Sequence, residues 1–284
     1  NAGAGVFTLS GSSFDLLGTP TPNPRNIDTA KIINNSANTQ TINNSIYHHT
    51  GYNEGLVFDN TNGGAIVVNG VIQQSGSGAD DVTIQGNGTV TFNGVNTYTR
   101  DTTLSSGTLQ LGNASALGTG ALTLSGGTLK DNVAGSNATY SNDITVTDAT
   151  STTIINTSGN TTFLTGDVTG SGSLNFGGSG DGQVNASVRL QGDMSGFTGT
   201  VNFDSADNTN YLWLEGGNQT TDAKFNLTGS GNRYIRVNGN WTIGELSGTG
   251  GLIAGDINSL TVNQNSNTTF GGVLGNVNSS RALN

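Results

Sequence analysis

Gly88-Thr89-Val90-Thr91-Phe92 is the first of five similar segments that decide the fold of this chain. The others are GTLQL at residues 107–111, GALTL at 120–124, GSLNF at 172–176 and GTVNF at 199–203. Each begins with a glycine, which lets the backbone turn, and continues with two apolar side chains two residues apart. Residues two apart in a strand point to the same face. The segments therefore predict short strands with one apolar and one polar face.

One such strand is too short to be stable alone, but many stacked strands bury a continuous core and form a solenoid. The glycines that open the five segments stand at positions 88, 107, 120, 172 and 199, at unequal intervals. These intervals predict coils of ~20–25 residues with loops of variable length. Inward polar positions are expected to form Asn or Thr ladders between coils. The chain is therefore predicted to be an all-β solenoid with irregular coil lengths, which favours a scaffold over a compact catalytic domain.

Strand patterns occur along the whole chain, and helical periodicity is nearly absent. Alternating apolar residues predict strands at residues 31–33, 66–68, 82–84, 144–146, 153–155, 211–214, 234–237 and 260–262. Regularity nevertheless varies along the single predicted solenoid. Residues 1–65 are expected to form less regular N-terminal coils, and residues 66–268 the main repeat module. Residues 269–284 are expected to start a second module or to form an assembly strand, with Phe270, Val273 and Leu274 as its apolar residues, because TFGGVL at 269–274 is similar to NGVI at 69–72.

Composition excludes several classes of function. Only 10% of the 284 residues are charged, the formal net charge is −10, and the nine Lys and Arg are scattered singly. Binding to nucleic acid or to an anionic membrane surface needs a basic stripe, so neither partner is expected. The absence of cysteine excludes disulfides, thiolate metal sites and a cysteine nucleophile. No run of ~18 apolar residues predicts a membrane span.

Residues 86–129 read GNGTVTFNGVNTYTRDTTLSSGTLQLGNASALGTGALTLSGGTL. This block resembles the autotransporter-associated β-strand repeat (passenger-associated transport repeat) of bacterial surface proteins. The resemblance lies in the succession of Gly-x-Gly-Thr, then residues 94–99, 107–109 and 116–120. Residues 192–200 and 243–251 are similar to sequence that flanks such repeats. Arg100-Asp101 departs from the family, which usually has a glycine pair there. The resemblance covers a minority of the chain.

The resemblance implies a right-handed parallel β-helix that is secreted and displayed on the bacterial cell surface or outside the cell. A non-enzymatic structural or surface role follows from it, as an adhesin passenger, stalk, sheath or fibre subunit without a cofactor. Because a β-helix has two open ends with unpaired strands, self-association end-to-end or laterally is expected. Cell-surface or matrix glycans are the other expected partners. The alternative is a polysaccharide-binding or polysaccharide-cleaving β-helix protein.

Four aromatic residues are the candidate contacts for a glycan or a protein partner. Tyr211 and Trp213 are two residues apart and share a strand face, and Tyr234 and Trp241 are placed on neighbouring coils. Stacked aromatic rings on a solenoid face can bind sugar rings or a protein. The alternative interpretation is that these rings fill a wide core.

No catalytic or metal-binding residue is predicted. Glycoside hydrolysis needs two carboxylates ~5–9.5 Å apart on one face, whereas the neighbours Asp80 and Asp81 would point to opposite faces of a strand. The pair His48-His49 lacks a third metal ligand. Residues 177–182 resemble a calcium-binding nonapeptide with its aspartate out of register, and they are interpreted as a glycine-rich turn. The aspartates left open as single calcium ligands are Asp143, Asp148, Asp167 and Asp181.

Overall fold

The computed structural model describes residues 7–9, 14–16, 30–50, 55–76, 81–176, 186–204, 210–229, 234–255 and 257–275. These residues are all-β, and none of them belongs to a helix, let alone one that could cross a membrane. Each strand pairs in parallel with a strand one coil away, so the chain is a parallel β-solenoid, and the predicted fold class is confirmed. The chain divides into two compact units, Asn1–Asn132 and Val133–Asn284.

The strands of the first unit belong to three sheets. They are β1 (Phe7–Leu9), β2 (Phe14–Leu16), β3 (Ala30–Ile33), β4 (Gln40–Ile42), β5 (Ile46–Thr50), β6 (Leu56–Asn60), β7 (Ile66–Val68), β8 (Ile72–Gly76), β9 (Val82–Gly86), β10 (Thr89–Phe92), β11 (Thr102–Leu104), β12 (Thr108–Leu111), β13 (Leu122–Leu124) and β14 (Thr128–Asp131). Within this unit the sheet orders are β1-β4-β7-β10-β12-β14, β3-β6-β9-β11-β13 and β2-β5-β8. A coil therefore contributes one strand to each of two or three sheets.

The second unit repeats this arrangement with one further sheet. Its strands are β15 (Ala138–Tyr140), β16 (Ile144–Val146), β17 (Ser151–Asn156), β18 (Thr161–Leu164), β19 (Val168–Gly170), β20 (Ser173–Phe176), β21 (Ala186–Leu190), β22 (Thr200–Asp204), β23 (Asn210–Leu214), β24 (Gln219–Thr220), β25 (Lys224–Thr228), β26 (Tyr234–Val237), β27 (Gly239–Ile243), β28 (Glu245–Ser247), β29 (Leu252–Ala254), β30 (Ile257–Val262) and β31 (Val273–Leu274). The sheet orders within this unit are β17-β20-β22-β25-β28, β15-β18-β21-β23-β26-β29-β31, β16-β19 and β24-β27-β30.

Coil length is irregular, as the sequence predicts. In the first unit, Phe7 is the register partner of Gln40 one coil along, whereas Thr89 is the register partner of Thr108, after a much shorter stretch of chain. In the second unit the coils of the sheet β17-β20-β22-β25-β28 are more uniform in length. The strands stay in register because the extra residues lie in the loops between them.

The five glycine-led segments do not all occupy the same sheet. Within the first unit, residues 88–92 and 107–111 contain β10 and β12, which pair directly, and within the second unit β20 and β22 pair in the same way. The segment 120–124 contains β13, which pairs with β11 in a different sheet. The partner of β12 is β14, in the segment GTLKD at 127–131. The short interval between the glycines at 107 and 120 therefore measures only part of a coil.

Apolar side chains point inward from each sheet and stack in columns along the coils. In the second unit, Leu174, Val201 and Phe225 are register partners in three successive strands and are at most 2% exposed. In the first unit, Phe58 and Phe92 pack edge to face with ring centroids 5.1 Å apart. Burial of each such side chain contributes roughly 1.5–3 kcal/mol. The core thus follows the predicted alternation.

Asparagine ladders are present, but on outward positions rather than on the expected inward ones. In the second unit, Asn202 Nδ2 donates to Asn175 Oδ1 over 2.9 Å, and Asn226 Nδ2 donates to Asn202 Oδ1 over 3.1 Å. In the first unit, the exposed residues Asn69 and Asn93 continue an equivalent ladder from Asn43 with distances of 2.7 Å. On the outward face, each amide can replace a hydrogen bond to water with one to the next asparagine, and the apolar columns inside are not disturbed.

Gly199→Ala is expected to lower the free energy of unfolding by about 3 kcal/mol. A Cβ atom at Gly199 would lie 1.9 Å from the carbonyl oxygen of Gly172 in the adjacent coil, so the two coils would have to separate. Gly217→Ala is the matched control, because Gly217 has a φ of +78° but no heavy atom within 4 Å of the position that a methyl group would take. Gly217→Ala therefore tests only the cost of a left-handed backbone conformation, and we expect it to lower the free energy of unfolding by about 1 kcal/mol. Urea unfolding of both variants measures the difference, and equal losses would contradict the close-approach explanation.

Candidate functional site

Three of the four predicted aromatic contacts meet on the outward face of the sheet β15-β18-β21-β23-β26-β29-β31. Tyr211 and Trp213 in β23 are both partly exposed, while Leu212 between them is buried. Tyr234 in β26 lies one coil further, and its ring centroid is 5.0 Å from that of Tyr211 at an interplanar angle of 60°. The shared face that the i, i+2 spacing predicts is therefore present.

A stack of arginine and aromatic side chains runs beside the two tyrosines. Phe163, Arg189, Trp213 and Arg236 are register partners in four successive strands. The Cζ atom of Arg189 lies 3.7 Å from the ring centroid of Trp213 and 5.2 Å from that of Phe163. On the next coil, Arg236 Cζ lies 4.3 Å from the Trp213 centroid. The Trp213 ring is thus held between two guanidinium groups, in contacts that the negative face of an indole favours.

Glu215 anchors one end of this stack through a polar network. Arg189 Nη1 donates to Glu215 Oε1 over 3.0 Å, and the two side chains are only 24% and 15% exposed. Gln191 Nε2 donates to Glu215 Oε2 over 2.9 Å. Asn238 Nδ2 adds a longer bond of 3.4 Å to Oε1. These contacts fix the carboxylate and the Arg189 guanidinium in one orientation.

We name the outward surface made by these residues the arginine–aromatic face. Its members are Phe163, Arg189, Tyr211, Trp213, Tyr234 and Arg236. Phe163, Arg189 and Arg236 were not predicted from the sequence. A signal for them exists, because the four stacked residues follow one another at intervals close to the predicted coil length. All three lie one or two coils from Trp213 in the sequence.

Trp241 does not join this face, and the expectation that it does is corrected. It lies in β27, within the sheet β24-β27-β30, and its side chain is 1% exposed. Its Nε1 atom donates to the carbonyl oxygen of Asn238 over 3.1 Å. The N–H of the indole is therefore paired with the backbone, while the rest of the ring fills the core. For Trp241, the alternative interpretation that the aromatic rings fill a wide core is the one that the structure supports.

The three residues of the predicted assembly strand lie in the last described coil. Val273 and Leu274 form β31, which pairs in parallel with β29 and is the last strand of its sheet among the described residues. Phe270 makes an isolated parallel bridge with Gly248. Val273 is 61% exposed. Apolar side chains therefore lie on the last strand of this sheet that the structure describes.

Acidic side chains also line one open groove of the second unit. A groove of about 390 Å³ is lined by Asp222, Lys224, Glu245 and Ser266, among other residues. Lys224 Nζ lies 3.4 Å from Glu245 Oε2. The hydrogen bond from Ser266 lowers the pKa of Glu245, and the charge of Lys224 lowers it further. Both effects keep the Glu245 carboxylate ionised. An ionised carboxylate can pair with Lys224, but it has no proton to donate.

The residues left open as metal ligands form no cluster in the part of the chain that the structure describes. No group of three His, Asp or Glu side chains suited to a metal ion occurs there. The carboxylates of Asp143 and Asp167 each accept a backbone N–H one coil along, from Asp167 at 3.0 Å and from Asp193 at 2.9 Å. The pair His48-His49 lies in β5. The segment 177–182, with Asp181, and Asp80 lie outside the described residues.

The comparisons with known proteins give no match for this chain: no protein-family model, no curated protein and no solved structure matches it. The resemblance of residues 86–129 to the autotransporter-associated repeat therefore stays a prediction from the sequence.

Proposed function

We propose that the chain is a non-enzymatic structural protein of a bacterial cell surface or extracellular matrix, where it serves as a passenger, stalk, sheath or fibre subunit. One observation carries the proposal: inward side chains form closed apolar columns, while successive coils offer outward side chains in register with one another. A solenoid of this kind extends surface by adding coils without changing its core. The resemblance of residues 86–129 to surface-protein repeats supports the location.

Protease treatment of intact producing cells tests the location. The protein is expected to lose its reactivity to an antibody when protease is added outside the cells, while a cytoplasmic enzyme of the same cells stays intact. Recovery of the full-length chain from intact treated cells, and its degradation only after lysis, would contradict the proposal.

Self-association through the strand edge at β31 is part of the same proposal. An exposed strand edge with apolar side chains pairs readily with another chain, and a charged side chain on the edge prevents this. Val273→Lys is therefore expected to reduce self-association at least fivefold in sedimentation velocity, with an unchanged unfolding curve. Val95→Lys is the matched control, since Val95 is also exposed, at 55%, but lies outside any strand. A wild-type chain that stays monomeric at high concentration, or equal effects of the two variants, would contradict edge pairing.

A further inference from the structure

We propose that the arginine–aromatic face binds an acidic polysaccharide. The face belongs to one sheet of the second unit, and its residues follow one another coil by coil. This binding role goes beyond the proposed scaffold role and does not depend on it. Rings, fixed cations and a repeating distance are the three properties of the face that select such a ligand.

Tyr211 and Tyr234 supply the ring surface. Their centroids are 5.0 Å apart, and both side chains are partly exposed on the outward face. A tyrosine ring offers an apolar body together with a hydroxyl that can exchange hydrogen bonds with a ligand. Sugar rings combine apolar C–H faces with hydroxyl groups, so they match both parts of this surface.

Arg189 and Arg236 supply the cations, and Trp213 positions them. Each guanidinium stacks on the Trp213 ring, at 3.7 and 4.3 Å from its centroid. A guanidinium that is already held in place loses little freedom when it binds a carboxylate, and its planar set of donors suits that group. Trp213 is therefore a positioning residue rather than a stacking platform, because both of its faces are occupied.

Charge and spacing select an anionic polymer. The chain has a net charge of −10 and only nine Lys and Arg, yet this face places two of its arginines against one indole ring. Arg189 and Arg236 lie two coils apart, which is ~10 Å along the stack. A linear polysaccharide with regularly spaced carboxylates can lie along the coils and meet both guanidiniums while its rings contact the tyrosines.

The first experiment measures binding of the wild-type chain to polygalacturonate oligomers by isothermal titration calorimetry. Methyl-esterified polygalacturonate keeps the rings and removes the charge, and polyglutamate keeps the charge and removes the rings. We expect polygalacturonate to bind at least tenfold more tightly than either, with affinity falling as salt rises. Absence of binding to polygalacturonate overturns the proposal. Equal binding of polyglutamate overturns it in favour of an acidic peptide, and equal binding of the ester in favour of a neutral glycan.

Variants then assign the binding to this face. Trp213→Ala is expected to weaken binding at least tenfold, whereas Trp213→Phe keeps a ring between the guanidiniums and stays within threefold of the wild type. Arg236→Ala is expected to weaken binding about tenfold. Lys224→Ala removes the same charge from another sheet and is expected to leave binding unchanged, which makes it the matched control. Equal losses for Arg236→Ala and Lys224→Ala would overturn the assignment, since only net charge would then matter.

Tyr234→Ala keeps the test decisive if Trp213→Ala does not fold. It removes a ring without touching the arginine stack, and at least a fivefold loss of affinity is expected. Circular dichroism melting curves establish that each variant is folded before it is titrated. A second copy of the chain is the remaining occupant of the face. If Tyr234→Ala abolishes self-association in sedimentation velocity and leaves polygalacturonate binding intact, the face is a contact between copies and the proposal is wrong.

Discussion

Trp241→Ala is expected to lower the free energy of unfolding by about 3–5 kcal/mol, which is the range for removing a large buried aromatic side chain. Trp241 is 1% exposed, and alanine would leave a cavity between coils that cannot close without moving β27 against β24 and β30. The carbonyl oxygen of Asn238 would also lose the hydrogen bond from Nε1. Urea unfolding followed by circular dichroism gives the change, with the slope of the transition as a check on two-state behaviour.

Trp213→Ala is the matched control, because it makes the same chemical change at the chain's other tryptophan. Trp213 is partly exposed and stacks against two guanidinium groups. Each such contact contributes about 0.5–1 kcal/mol where the ring is exposed, so a loss of about 1–2 kcal/mol is expected for the two contacts together. The two variants should therefore separate stability from ligand binding. Similar losses of stability for both would contradict the assignment of one tryptophan to the core and the other to a surface.

Much of the division of these aromatic residues between the core and the surface could be predicted from the alternation of inward and outward residues along a strand. Tyr211 and Trp213 are two residues apart in one strand, so their shared face follows from the sequence. The positions of Tyr234 and Trp241 differ by an odd number. The two side chains are therefore expected on opposite faces if inward and outward residues keep alternating between them. The alternation does continue here, although Gly239 has a φ of +96° and the pairing of β27 with β30 shifts register at Gly239 and Asn240. A turn of that kind can reverse the alternation, so the sequence alone could not decide.

Pairing between coils was harder to predict than the strands themselves. The segment at 120–124 has the same pattern as the segment at 107–111, yet it belongs to a different sheet. Every side of a solenoid coil carries the same alternation of apolar and polar residues, so only the length of the coil identifies the partner. Arg189 and Arg236 were missed for this reason, since they join Trp213 only when the lengths of the coils on either side of it are known.

Asparagines illustrate the same limit, because inward and outward ones look alike in the sequence. Asn156-Thr157-Ser158-Gly159-Asn160 closes a corner of the second unit, with Asn156 1% exposed. Its Oδ1 atom accepts hydrogen bonds from the backbone N–H and the hydroxyl of Ser158, both at 2.8 Å. Its Nδ2 atom donates to the carbonyl oxygens of Asn160 at 2.8 Å and of Ser187 in the next coil at 3.2 Å. One amide therefore closes the turn and ties two coils together.

Asn156→Ala is expected to lower the free energy of unfolding by about 3 kcal/mol or more. Alanine would leave the Ser158 N–H and the two carbonyl oxygens without their amide partner, and each buried polar group left unsatisfied costs about 1–3 kcal/mol. Asn175→Ala is the control, because Asn175 is half-buried on the outward ladder, where water can replace the amide bonds. A loss of about 1 kcal/mol or less is expected there. Urea unfolding of both variants compares the two positions directly.

The first unit offers an independent repetition of this experiment. Asn34 lies in the equivalent sequence Asn34-Asn35-Ser36-Ala37-Asn38, and its Oδ1 atom accepts from the Ser36 N–H at 3.0 Å. Its Nδ2 atom donates to the carbonyl oxygens of Asn38 at 2.8 Å and of Ala65 in the next coil at 3.0 Å. Asn34→Ala should therefore destabilise the chain as strongly as Asn156→Ala. If both variants instead match Asn175→Ala, the buried amides contribute no more than outward ones, and coil-to-coil cohesion rests on the apolar columns alone.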